Sequence, residues 1–238
     1  MIESLTLVDL RKLGELRPDL ADFADRMLVQ SYDEFVRVLN KDLDRCIAGI
    51  EEDRGVRQDD GEDRITAEII NILNGMNYDA SHDEKVGGHS DIVVRHLKGY
   101  LWLGEAKIHS DYAYLEQGFN QLCTRYSPGT PNADQGGLII YMRVQDCAAV
   151  LAKWRARVTE LGLPEYEDSN CPSRDTLAFF SSHRHEGTGR AIKVRHVAVN
   201  QYFDPKDRPV VGKSADVASA EPAKAKVART AKKRRAPA

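Results

Sequence analysis

Apolar positions recur at intervals of three and four between residues 28 and 50, where Leu28, Tyr32, Phe35, Leu39, Leu43, Ile47 and Ile50 form one stripe. That period belongs to an amphipathic helix, and residues 6–55 read as helical, with Pro18 separating a first short helix from the next. Such a stripe either buries against the rest of the protein or forms a dimer interface. The polar run from Glu51 to Gly61 reads as a loop or linker. A second helix follows over 62–75, with Ile65, Ile69, Ile72, Leu73 and Met76 on one face and Gly75 near its end.

The pattern then turns strand-like. Runs at 78–86, 90–94 and 100–108 are separated by turns at Gly87-Gly88 and Lys98-Gly99. A helix over 112–126 turns Tyr112, Leu115, Phe119, Leu122 and Tyr126 inward. The run Gly137-Leu138-Ile139-Ile140-Tyr141-Met142 predicts a strand, and a helix follows over 146–162. Two late strands, 176–182 and 191–199, are joined through Glu186-Gly187-Thr188-Gly189. The order α-β-β-β-α-β-α-β-β predicts an α/β fold with a mixed central sheet. The expected organisation is a helical N-terminal segment (1–57), the α/β domain (58–205) and a tail (206–238).

Composition excludes a few classes. With 42% hydrophobic and 30% charged residues, the chain has the balance of a folded soluble protein. No window approaches 18 consecutive apolar residues, so no membrane span is expected. The start, Met1-Ile2-Glu3-Ser4-Leu5, lacks the basic and apolar regions of a secretory signal. Cys46, Cys123, Cys147 and Cys171 are scattered without a CxxC pair, which argues against a structural zinc or a disulfide framework and fits a reducing cytoplasm.

Charge changes the picture more. The formal net charge is −3, yet from Gly212 onward eight Lys/Arg face two Asp/Glu. This Ala-, Lys- and Pro-rich stretch has almost no large apolar side chains and reads as a disordered basic tail. On an acidic body it is either a non-specific clamp on a polyanion or a solubilising terminus.

The candidate chemistry lies in Gly87-Gly88-His89-Ser90-Asp91-Ile92-Val93-Val94 and Leu101-Trp102-Leu103-Gly104-Glu105-Ala106-Lys107-Ile108. Asp91 begins one apolar strand. Glu105 and Lys107 stand two apart on the next and so share a face. Ionisable side chains inside so apolar a run are costly unless they bind a cation or each other. In a hairpin, Asp91 and Glu105 converge, and two carboxylates with a strand carbonyl make a hard oxygen site suited to Mg²⁺. The competing account is a cross-strand salt bridge. His183, His185 and Glu186 read as a solvated turn rather than a metal site, whereas His89 and His109 flank the acidic cluster and read either as phosphate contacts or as chance neighbours.

This arrangement resembles the PD-(D/E)XK nuclease superfamily, the restriction-endonuclease-like fold. That pattern has an acidic residue at the start of one strand and (D/E)-x-K on the next, here Asp91, thirteen intervening residues, then Glu105-Ala106-Lys107. The superfamily core is αβββαβ, the order predicted for 62–142. Many members add a glutamate from the helix before the strands. Glu62, on the face of Ile65, Ile69 and Met76, is the first choice and Glu68 the alternative. In several branches the next helix supplies a glutamine, which matches Gln121, part of a stripe with Gln117 and Arg125 that otherwise reads as a solvated face.

The resemblance implies a metal-dependent nuclease hydrolysing phosphodiester bonds. Asp91 and Glu105 would hold Mg²⁺, with Mn²⁺ able to substitute and Glu62 contributing, while Lys107 positions or helps deprotonate water. DNA is favoured over RNA as the nucleic-acid partner. An endonuclease of restriction or anti-phage defence is the expected role, with a homodimer and a defence-system partner protein as its expected company. The alternative is a non-catalytic nucleic-acid-binding or scaffolding subunit that retains the fold.

Overall fold

A computed structural model describes residues 5–207 of the chain. Among these residues one compact unit extends to Phe203, and the second begins at Asp204. The tail expected over 206–238 lies outside the described residues apart from Lys206 and Asp207.

Three helices open the first unit: α1 (Leu7–Lys12), α2 (Pro18–Met27) and α3 (Tyr32–Glu52). Each start has a local cause. Thr6 and Asp9 form a capping box, Pro18 occupies the first turn of α2, and the Ser31 side chain accepts from the Glu34 N–H. The break at residues 28–31 takes Leu28 out of the predicted stripe, where it caps α2. The stretch 51–61 is not all loop, because Arg54–Arg57 forms a 3₁₀ turn. Then follow α4 (Glu62–Gly75), β1 (Asp79–Ser81), a small hairpin of β2 (Glu84–Lys85) and β3 (His89–Ser90), β4 (Ile92–His96) and β5 (Tyr100–Ile108). After α5 (Tyr112–Asn120) come β6 (Gln135–Met142), α6 (Cys147–Glu160), β7 (Glu167–Asn170), β8 (Ala178–Arg184) and β9 (Ala191–Asn200).

The seven-stranded sheet has the order β1-β4-β5-β6-β9-β8-β7. β5, β6 and β9 run parallel at its centre, and the outer pairs are antiparallel, so the sheet is mixed. Helices cover both faces. Phe35, Leu39, Ile47 and Ile50 of α3 and Ile65, Ile69 and Leu73 of α4 pack with Trp102, Ile139, Tyr141 and Val199. On the other face, residues of α5 and α6 pack with Val93, Leu138, Ile140 and Val194. The α3 stripe is therefore consumed by the core, and the expected homodimer loses the face on which it rested. All four cysteines are free and buried. Among the described residues no helix is long and apolar enough to cross a membrane.

Two elements differ from the pattern. The predicted helix 112–126 is α-helical only to Asn120 and continues as a π-helix over Gln121–Tyr126. Thr124 Oγ1 donates to the Asn120 carbonyl at 2.7 Å, a back-bond that competes with the helix ladder, and the wider turns bury Leu122, Cys123 and Tyr126 together. Strand β7 is exposed at all four residues and carries no apolar alternation to predict it. His183 is buried on β8 with its ring 5.6 Å from Phe119, which corrects the solvated-turn reading.

The core also holds a neutral histidine. His196 is fully buried, stacked on Phe179 at 4.2 Å, and accepts from Trp154 Nε1 at Nδ1 while its Nε2 meets Ser181 Oγ. Burial pushes its pKa down to about 3. A folded value below the unfolded one means the associated stability is complete above about pH 6.5 and declines as pH falls toward the folded value, by about 1.4 kcal/mol per pH unit. Denaturant unfolding between about pH 7 and pH 5 should show this loss, and His196→Gln should flatten it by one proton's worth. An unchanged slope in the variant would contradict the assignment.

Candidate active site

The acidic residues foreseen on separate elements meet at one point. β4 and β5 pair from Ile92–Gly104 to His96–Tyr100, so Asp91 stands one step beyond the pairing, level with Glu105. Asp91 Oδ2 accepts from the Ala106 N–H at 2.8 Å, which ties the turn before β4 to β5. Lys107 Nζ lies 2.6 Å from Glu105 Oε1, 3.4 Å from Glu62 Oε1 and 3.6 Å from Asp91 Oδ2, and donates to the Ala106 carbonyl at 3.1 Å. One ammonium thus faces three carboxylates.

Glu62 reaches the cluster because it opens α4. Its Oε2 accepts from the Ile108 N–H at 2.7 Å, and both carboxylate oxygens lie 3.5 Å from the Tyr114 hydroxyl. Glu68 turns away and pairs with Arg57. Tyr114 also lies beneath Lys107, whose Nζ is 5.4 Å from the ring centroid, a cation–π contact. Nothing in the sequence pattern singled out Tyr114, since its role depends on the Asp111 cap that sets the rotation of α5.

Gly118 supplies the room. A Cβ there would lie 2.9 Å from Lys107 Cγ and 3.3 Å from Glu105 Cγ, so α5 can approach β5 only through a glycine. A glycine inside a helix costs about 1 kcal/mol relative to alanine, and that cost was the sequence signal available for this contact. Gln121, one turn on, is half-buried and lines a surface depression with Gln117, Asn120 and Arg125. No hydrogen bond or ion pair among the described residues joins it to the cluster. His89 is exposed and pairs with Asp83, and His109 packs edge-on against Tyr112, so neither is brought into hydrogen-bond contact with the four charged side chains.

The electrostatics follow from three acids around one base. Glu105 is 1% exposed, and burial, with the charge of Asp91 adding, pushes its pKa up to about 7 against the hydrogen bond from Lys107. Burial opposes the charge on Lys107 too, but the hydrogen bond and charge of Glu105, with Asp91 and Glu62 behind them, outweigh it and hold the ammonium above its ordinary range. Among the described residues no three His, Cys, Asp or Glu side chains are close enough to form a ready metal-ligand group. The carboxylates instead face the lysine. Their chemistry nevertheless fits a hard cation: Asp91, Glu105 and the Ala106 carbonyl are oxygen donors, and Glu105 Oε2 is buried without a hydrogen-bond partner. Comparison with protein families, with curated proteins and with solved structures finds no match for this chain.

Proposed function

We propose that this chain is a metal-dependent nuclease of the PD-(D/E)XK kind, acting on DNA as an endonuclease. The observation that carries the reading is the convergence of Glu62 of α4, Asp91 of the turn before β4, and Glu105 and Lys107 of the apolar strand β5. The element order α4-β1-β4-β5-α5-β6 accords with a restriction-endonuclease-like αβββαβ core, the β2–β3 hairpin being an insertion. A role in restriction or anti-phage defence, with or without a partner protein, follows from analogy with small nucleases alone.

Asp91, Glu105 and the Ala106 carbonyl would hold Mg²⁺ or Mn²⁺, with Glu62 adding a third carboxylate. A divalent cation so held supplies positive charge to the phosphodiester and a bound water of lowered pKa. Glu62, fixed by the Ile108 N–H and Tyr114, presents Oε1 as the acceptor for a water on the Lys107 side. Lys107 Nζ brings the cluster's positive charge and donates to a non-bridging phosphate oxygen, offsetting the charge that accumulates there. Gly118 keeps α5 from displacing that ammonium.

The test is a panel of supercoiled plasmid, linear duplex, single-stranded DNA and RNA, each with Mg²⁺, with Mn²⁺ and with EDTA. Metal-dependent cutting of DNA, stronger than of RNA, is the expected result. Intact substrates throughout, with DNA retained on the folded protein, would favour the non-catalytic binding subunit. The two candidate helix carboxylates separate in the same assay. Glu62→Gln should lower turnover about ten- to a hundredfold, the scale for losing a group that orients a metal site. Glu68→Gln should leave turnover intact and cost stability through Arg57; a larger turnover loss in Glu68→Gln would reverse the assignment.

A further inference from the structure

A cavity of about 800 Å³ opens between α3 and the β8–β9 hairpin, and none of Glu62, Asp91, Glu105 or Lys107 lines it. Its walls are charged unequally. Arg37, Lys41 and Arg45 recur every fourth residue along α3, a stripe with about 6 Å of rise between neighbours. Lys193 and Arg195 come from alternate positions of β9, and the two lining carboxylates are Asp33 and Asp44.

The cations are not equally free. Lys41 and Arg45 pair with Asp22, and Arg195 pairs with Asp44 at 2.6 Å. Among the described residues the one carboxylate that Arg37 meets is Glu34, at 3.9 Å, and the side chain is 63% exposed. Lys193 is exposed and has no carboxylate partner among the described residues. The rim therefore offers Arg37 and Lys193 to an anion.

The floor is different. Phe180, Val36, Ala48 and Pro172 give it apolar surface. Arg195 is only 3% exposed, held by Asp44, the Asn40 carbonyl and Ser173 Oγ. The cavity is of the size that takes a single small molecule.

We propose that this cavity binds a nucleoside phosphate. The base lies on the apolar floor beside Phe180, and the phosphates lie at the rim between Arg37 and Lys193. A flat aromatic ring joined to a polyanion meets both halves of the site, whereas an inorganic anion meets only the rim. The proposal does not rest on the nuclease reading.

Isothermal titration of the full chain in EDTA tests it, with ATP, GTP, CTP and UTP singly and with tripolyphosphate and adenosine as the two halves of a ligand. At least one of the four should bind with a Kd below about 100 μM. Tripolyphosphate and adenosine should each bind at least about tenfold more weakly. Arg37→Glu with Lys193→Glu should weaken nucleotide binding about tenfold or more; both side chains are exposed, and circular dichroism verifies the fold before titration. Phe180→Ala should weaken the nucleotides and leave tripolyphosphate unchanged, and Lys107→Ala should leave the Kd unchanged. Absence of binding by all four, tripolyphosphate equalling the nucleotides, or rim and Phe180 variants without effect would each overturn the site. Loss of binding in Lys107→Ala would move the nucleotide to the acidic cluster and overturn it as well.

Discussion

Lys107→Ala is expected to reduce metal-dependent DNA cutting by about a thousandfold, the scale for removing a preorganised group that meets transition-state charge. The same change removes the ammonium that lies 2.6 Å from Glu105 and within 3.6 Å of Asp91 and Glu62. Three carboxylates then face one another unopposed, so MgCl₂ should raise the thermal midpoint of the variant more than that of the natural chain. The second readout separates a metal site from a structural ion pair. If Lys107 served only to neutralise Glu105, its loss would lower the midpoint, and Mg²⁺ would restore nothing that Na⁺ at equal ionic strength does not.

Asp42→Ala is the substitution expected to cost most in stability. Asp42 is 1% exposed, and its Oδ2 accepts from Arg26 at 3.1 Å and from the Tyr78 hydroxyl at 2.8 Å. It thereby ties α3 to α2 and to the turn between α4 and β1. Removing one partner of a buried pair leaves the other charge uncompensated, at about 3–5 kcal/mol. For a chain of this size that is a fall of about 10 °C in midpoint. Asp42→Asn retains an acceptor for Tyr78 and should lose less. Thermal unfolding by circular dichroism measures both. A loss below about 1 kcal/mol would mean that the N-terminal helices and the sheet are not joined through this residue. A single cooperative transition, lowered as a whole, is the expected trace, because the α3 stripe and the sheet share one core.

Much of this was legible in the sequence, for identifiable reasons. Helix α4 and the central strands carry strong apolar periods, and Asp91, Glu105 and Lys107 were conspicuous because charge in an apolar strand is costly. Once the resemblance calls for a helix glutamate, helix rotation and a place at the helix start favour Glu62 over Glu68, and in the structure Glu62 faces Lys107 while Glu68 faces Arg57. Less was legible where tertiary contact, not local pattern, decides. Strand β7 is held to β8 by backbone pairing with its side chains exposed, so its residues have no reason to alternate. The π-helix rests on one threonine back-bond and on burial of three side chains together, which a regular period conceals. The fate of the α3 stripe was undecidable from one chain, since an apolar face looks the same whether a sheet or a second copy covers it. Tyr114 and Gly118 joined the cluster through the docking of α5 on β5, a distance no spacing rule contains.

The most direct measurement is the conversion of supercoiled plasmid by the natural chain and by Glu105→Gln, side by side, in Mg²⁺ and in EDTA. The account predicts nicked or linear DNA with the natural chain in Mg²⁺ alone, and uncut plasmid in the other three reactions. Equal cutting by Glu105→Gln, or cutting that survives EDTA, would contradict it.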